Sequence, residues 1–88
     1  MKDTHIQKAE ILKALGHPIR YCLVEGLLSG ERNVADLVDC LKVPQPTVSQ
    51  HLHILKAAGI LEANRTGNQI HYSVCNPDVR KIITALKQ

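Results

Sequence analysis

Apolar residues recur at three- and four-residue steps through most of this chain, and glycine or proline interrupts them at intervals of about a dozen residues. Ile6, Ile11, Leu12 and Leu15 predict a first helix, capped by Thr4 and running to about Ala14, with Gly16 as its stop. Pro18 suits the first turn of a second helix through Leu28, whose apolar side is Tyr21, Val24, Leu27 and Leu28. After Ser29-Gly30, Asn33 is placed to cap a short third helix with Val34, Leu37, Val38 and Leu41 inward. The tract Val43-Pro44-Gln45-Pro46 cannot continue that helix, because each proline lacks an amide proton and pushes the residue before it toward extended backbone. A fourth helix then starts near Pro46, with Val48, Leu52 and Leu55 on one stripe and Gly59 as its breaker.

Beyond Gly59 the period changes from helical to alternating. LEANRT and IHYSVC, separated by Gly67-Asn68-Gln69, predict a hairpin with Ile70, Tyr72 and Val74 on its inner face and His71, Ser73 and Cys75 on the outer. Asn76 is the expected cap of a last helix from Pro77, in which Val79, Ile82, Ile83 and Leu86 form an apolar stripe without an obvious partner.

Composition narrows what such a chain can do. With 88 residues it is about one small domain, residues 1–88, which buries little surface alone and so favours a partner subunit. Two tyrosines and no Phe or Trp leave an aliphatic core and remove the stacking platforms that grip single-stranded nucleic acid. A net charge of +3 permits an anionic partner without requiring one. No apolar run approaches the roughly 18 residues of a membrane span, and MKDTHIQKAE has neither the apolar stretch nor the cleavage site of a signal peptide. The three widely spaced cysteines, Cys22, Cys40 and Cys75, suit reduced thiols better than a disulfide framework, so a cytoplasmic protein is expected.

A short helix, a tight turn and a second helix with a polar outer face is the plan of a helix-turn-helix, and the hairpin makes it winged. The expected fold is mainly α with a β-hairpin wing, about five helices and two strands, in a dimer. With Val48, Leu52 and Leu55 inward, the fourth helix turns Gln45, Pro46, Thr47, Ser49, Gln50 and His53 toward solvent. Gln can bind adenine bidentately and Ser or Thr can reach a base edge or phosphate, whereas a merely solvated helix face more often carries Lys and Glu pairs. Arg65, Asn68 and Gln69 at the wing tip suit phosphates or a minor groove. Double-stranded DNA is therefore the expected partner. The rival is a winged helix that binds protein without reading DNA.

His51, on the flank of the core stripe, is expected to pack against a neighbouring helix or a phosphate rather than to read a base. Arg20 is expected to pair with an acid inside the domain, a phosphate contact being the other reading. An enzyme would need a nucleophile with a base, or paired carboxylates, in a cleft; five small helices and a hairpin leave little room, and no phosphate loop or nucleophile elbow is present.

Three stretches, LGHPIR, VADLVDCLKVPQPTVSQHLHILKAAGIL and RTGNQIHYSV, make nearly everything from Leu15 to Val74 resemble the ArsR/SmtB group of bacterial winged-helix repressors, most specifically through TVSQHLHILKAAGIL. The resemblance implies a homodimer, joined by its first and last helices, that binds a palindromic operator and releases it to a metal ion or another inducer. The dimer residues so expected are Ile6, Val79, Ile82, Ile83 and Leu86. The group's metal sites do not carry over. Its third-helix cysteines are replaced by Asn33, Ala35 and Val38, with Cys40 off the pattern; its Asp-x-His pair reads Asn76-Pro77-Asp78, and the sequence ends at Gln88, about where the second pair would begin.

No cofactor is therefore expected, and Cys75 with His71, at i and i+4 in a strand, lie about 13 Å apart, too far to share one ion. Cys22 and Cys75 are expected to be partly exposed and Cys40 to sit nearer the core flank. Three readings of these thiols stand side by side: inert in a reducing cytoplasm, a thiol or persulfide sensor at Cys22 or Cys75, or a soft-metal site shared between two subunits.

Overall fold

Each break in the helical period becomes an element boundary. The structure, a computed structural model, describes residues 2–30 and 32–87. Among these the chain forms α1 (Asp3–Leu15), α2 (Pro18–Leu27), β1 (Arg32–Asn33), α3 (Val34–Leu41), α4 (Gln45–Ala57), β2 (Leu61–Thr66), β3 (Gln69–Val74) and α5 (Pro77–Leu86).

Helix starts are set by side chains that answer the otherwise unpaired first amides. Asn33 Oδ1 accepts from the Asp36 N–H at 2.9 Å, and Asn76 Oδ1 from those of Asp78 at 2.9 Å and Val79 at 3.4 Å. Both caps were legible from sequence. The α1 start was not: Thr4 lies inside the helix, which begins one residue earlier behind Lys2 with no side-chain cap, and Asp3 sits in the first turn where the helix dipole favours a carboxylate. α4 starts at Gln45, with Pro46 in the first turn, where a missing N–H costs nothing.

Between α3 and α4 the chain reverses at Lys42, whose φ of 57° and ψ of 38° are left-handed and whose N–H closes on the Val38 carbonyl at 2.8 Å. Any residue with a Cβ is strained there. Lys42→Gly should therefore stabilise the fold by up to about 1 kcal/mol, the relief of strain exceeding the glycine's extra chain entropy. A rise in the urea midpoint at unchanged slope would register this, and a fall would show that the lysine side chain makes a contact worth more than the strain.

β2 and β3 pair antiparallel from Leu61↔Val74 to Thr66↔Gln69, closing a two-residue turn in which Gly67 takes φ 62°. A third strand was not expected. β1 pairs with the other edge of β3 (Arg32↔Tyr72, Asn33↔His71), giving the order β1-β3-β2. Two residues carry no readable period, yet this pairing matters: Asn33 both joins the sheet and caps α3, so the wing is tied to the helix-turn-helix. With neighbours on both edges of β3, the outward His71 and Ser73 are half-buried along with Ile70, Tyr72 and Val74.

The core is aliphatic. Val48, Leu52 and Leu55 of α4 are fully buried against Leu23, Val24 and Leu27 of α2, Leu37 of α3, Ile60 and Leu61 before and within β2, and Ala14 and Leu15 of α1. Tyr21 and Leu28, expected inward, are only half-buried, and Leu23 takes the deeper place. α1 reaches the core through Ile11, Ala14 and Leu15, leaving Ile6 48% and Leu12 58% exposed. α5 corrects the expectation most. Val79 and Ile83 are 0% exposed inside the chain's own core, so they offer no surface to a partner; Ile82 is half-buried and Leu86 is 65% exposed.

Candidate nucleic-acid interface

The stripe that roots α4 determines what it shows. Because Val48, Leu52 and Leu55 are 0% exposed, the opposite face presents Gln45, Pro46, Ser49, Gln50 and His53, all exposed. Thr47, expected among them, is half-buried. Arg65, Asn68 and Gln69 are exposed around the hairpin turn.

Some of these residues the fold brings together. A shallow groove of about 250 Å³ is lined by Gln45 at the start of α4, Asn68, Gln69 and Ile70 of the wing, and Asn33, Val34 and Ala35 where β1 runs into α3. Its polar groups are side-chain amides, able to donate and accept. Ser49, Gln50 and His53 stand further along α4. His53 borders a second groove, of about 410 Å³, with Ile54, Ala57 and Ala58 of α4, Glu10 and Lys13 of α1, and Arg20 of α2. Sequence reading did not anticipate Asn33 and Ala35 beside the wing; β1, the strand that places them there, has no periodic signature.

His51 and Arg20 act inside the fold. Among the described residues Arg20 has no acidic partner: its Nε donates to the Ala14 carbonyl at 2.6 Å and its Nη1 lies 3.2 Å from His51 Nδ1. His51 also packs against the His17 ring of the same neighbouring helix, so it is a packing residue as expected. Its pKa is lowered from the ordinary 6.5 by burial first, then by His17 and Arg20.

All three cysteines are exposed, Cys40 included, contrary to its expected place near the core flank. The Cys75 thiol lies 3.7 Å from the Gly59 carbonyl oxygen and 3.6 Å from that of Ile60, where β3 leaves the sheet. Among the described residues no group of three or more His, Cys, Asp or Glu side chains is placed to hold a metal ion, and no helix is long and apolar enough to cross a membrane.

A short helix, a left-handed turn, a second helix with an amide and hydroxyl face, and a hairpin tied to both define a winged helix-turn-helix protein. The chain belongs to the arsR family of bacterial regulatory proteins, whose family model matches residues 17–63. It is 45% identical over 74 residues to the HTH-type transcriptional repressor SmtB of Mycobacterium tuberculosis, covering 84% of this chain and 55% of that protein. It thus spans little more than half the length of that relative. To the transcriptional repressor PagR of Bacillus anthracis it is 43% identical over 79 residues, 89% of this chain and 79% of PagR, and the PagR crystal structure superposes with a TM-score of 0.87 at 40% identity over 94% and 95% of the two chains. A homodimeric winged helix-turn-helix DNA-binding domain from Mycobacterium bovis, described as a possible ArsR-family regulator, superposes with a TM-score of 0.88 at 27% identity over 99% of this chain and 84% of that one. SmtB and PagR are named as repressors, not as enzymes.

Proposed function

We propose that this protein is a cytoplasmic, sequence-specific DNA-binding regulator that grips a palindromic duplex as a homodimer and is released by an inducer. The observation that carries this reading is the exposed face of α4, Gln45, Ser49, Gln50 and His53, continued by Arg65, Asn68 and Gln69 of the wing. These groups are short donors and acceptors on a helix whose other face is fully buried, so the side chains project from a rigid support. Two copies related by a two-fold axis would present two such helices to half-sites about one turn of duplex, roughly 34 Å, apart. The exposed apolar side chains of Ile6, Leu12 and Leu86 supply surface for that association.

Selection from random duplexes tests the reading, the expected result being an enriched palindrome. On that duplex Gln50→Ala should cost about 1 to 3 kcal/mol and relax preference at one base pair per half-site. Arg65→Ala should weaken all sequences alike and reduce the slope of log affinity against log salt by about one for each arginine removed. Gln50→Ala binding selected and random DNA as the parent does would remove α4 as the reader. Binding that is insensitive to salt would point instead to a protein-binding role for the same face.

A further inference from the structure

Three residues that the outer face of α4 does not use meet where α1, α2 and α4 converge. Arg20, half-buried on α2, bonds the Ala14 carbonyl in the last turn of α1 and, 31 residues along the chain, the His51 ring of α4. His17, the cap of α2, accepts the Ile19 N–H through Nδ1 at 3.1 Å and lays its ring against that of His51, with centroids 4.6 Å apart and planes at 39°.

The partners dictate the protonation of both rings. A guanidinium has five N–H donors and no acceptor, so the Nδ1 of His51 that faces it must carry a lone pair. The Ile19 N–H makes the same demand of His17 Nδ1. Both imidazoles are neutral in this arrangement, with their protons on Nε2.

The position of His51 gives the arrangement its consequence. Val48, Leu52 and Leu55 set how deeply α4 sits, through burial that is itself non-directional. His51 lies on the flank of that stripe and carries the directional contact. A helix with its side chains is about 10 to 12 Å across, so a roll of roughly 10° moves the outer tips by about 1 Å. That is more than the range over which a hydrogen bond to a base edge survives.

We propose that Arg20 and His51 are positioning residues for the reading helix: the neutral His51 imidazole, held by Arg20 and by the His17 ring, sets the roll of α4 against the corner of α1 and α2, and so the aim of Ser49, Gln50 and His53. The proposal rests on the DNA-reading function above. Protonating His51 would turn its Nδ1 acceptor into a donor facing a donor, and would set a second cation beside the guanidinium.

The surroundings oppose that proton. Burial, His17 and Arg20, in that order, lower the His51 pKa from 6.5. From α1, Glu10 and Lys13 line the groove that Arg20 and His53 share, one carboxylate among cations. The charged residues of α3 and β2, which also pack on α4, are Asp36, Asp39, Glu62 and Arg65; all are exposed, and none is among the groups that shift His51. A lowered histidine pKa means that the aligned state is fully held above about pH 6.5 and is lost as pH falls below it.

The test is the affinity, at fixed ionic strength, for a duplex selected at pH 7.5. Between pH 7.5 and 5.5 the parent should lose affinity, by no more than about tenfold, the ceiling for one proton whose pKa in the free protein lies below 6.5. His51→Gln, whose Oε1 can still accept from Arg20 but does not titrate, should bind within about threefold of the parent at pH 7.5 and lose the acid-dependent fall. His5, His53 and His71 are present in both proteins, so the comparison isolates position 51. Superimposable pH profiles would overturn the proposal. A readout without DNA keeps it separable from the function: backbone amide shifts of residues 47–54 in the free protein should follow a titration below pH 6.5 in the parent and not in His51→Gln. If no duplex is enriched, the DNA reading fails, and α4 shifts that move alike in both proteins would overturn the positioning role by themselves.

Discussion

Ile83→Asp should leave no folded protein at all. Ile83 is 0% exposed in the core of a single chain, so an aspartate there either buries an unpaired carboxylate or forces α5 off the domain. The lost apolar transfer and the buried charge together cost several kcal/mol, against a total stability of about 5 to 15 kcal/mol for a domain of ordinary size and less for a small one. Circular dichroism on heating should show no cooperative transition in the variant, while Ile83→Val, which only trims a methyl group, should lower stability by about 0.5 to 1.5 kcal/mol. A cooperative melt at the parent's temperature for Ile83→Asp would show that the side chain is not in the core.

Leu86→Asp, one turn further along the same helix, should do something different. Leu86 is 65% exposed, so the fold itself should lose only a few tenths of a kcal/mol, from an acid at the negative end of a helix. A dimer that covers this position would bury the new charge twice, once per subunit, and its dissociation constant should rise on the order of 100-fold or more. Sedimentation at micromolar concentration should then report a folded monomer where the parent is a dimer. Duplex affinity should fall as well, since the second half-site is no longer engaged at high effective concentration. A Leu86→Asp protein that sediments as the parent does would remove this end of α5 from the interface and leave Ile6 and Leu12 as the apolar surface to test.

The contrast between these neighbours shows what periodicity reports. Val79, Ile82, Ile83 and Leu86 form one stripe in the sequence, and the stripe predicts a covered face. It does not say what covers it. Val79 and Ile83 meet their own chain, while Leu86 extends past the core into solvent. Ile6 and Leu12 stay exposed for a related reason: α1 meets the core through Ile11, Ala14 and Leu15, and the side that carries Ile6 and Leu12 is left uncovered by its own chain. Cys40 is more exposed than its place in the period suggested, and Thr47 less.

What the sequence determined by itself is local. Amphipathic spacing defined the helices, Asn33 and Asn76 the caps of α3 and α5, Pro44 and Pro46 the start of α4, and Gly67 the hairpin, because each of these signals acts within a few residues through backbone sterics and unpaired amides. The outward face of α4 followed from the same short-range geometry, as did most of the candidate DNA contacts. Tertiary structure alone decided the rest: that the two residues of β1 pair with β3 and tie the wing to α3, that half of the α5 stripe is internal, and that Arg20 meets His51 across 31 residues of chain. Those contacts depend on how rigid elements dock, and docking is settled by the sum of many small packing and hydrogen-bond terms that no short stretch of sequence contains.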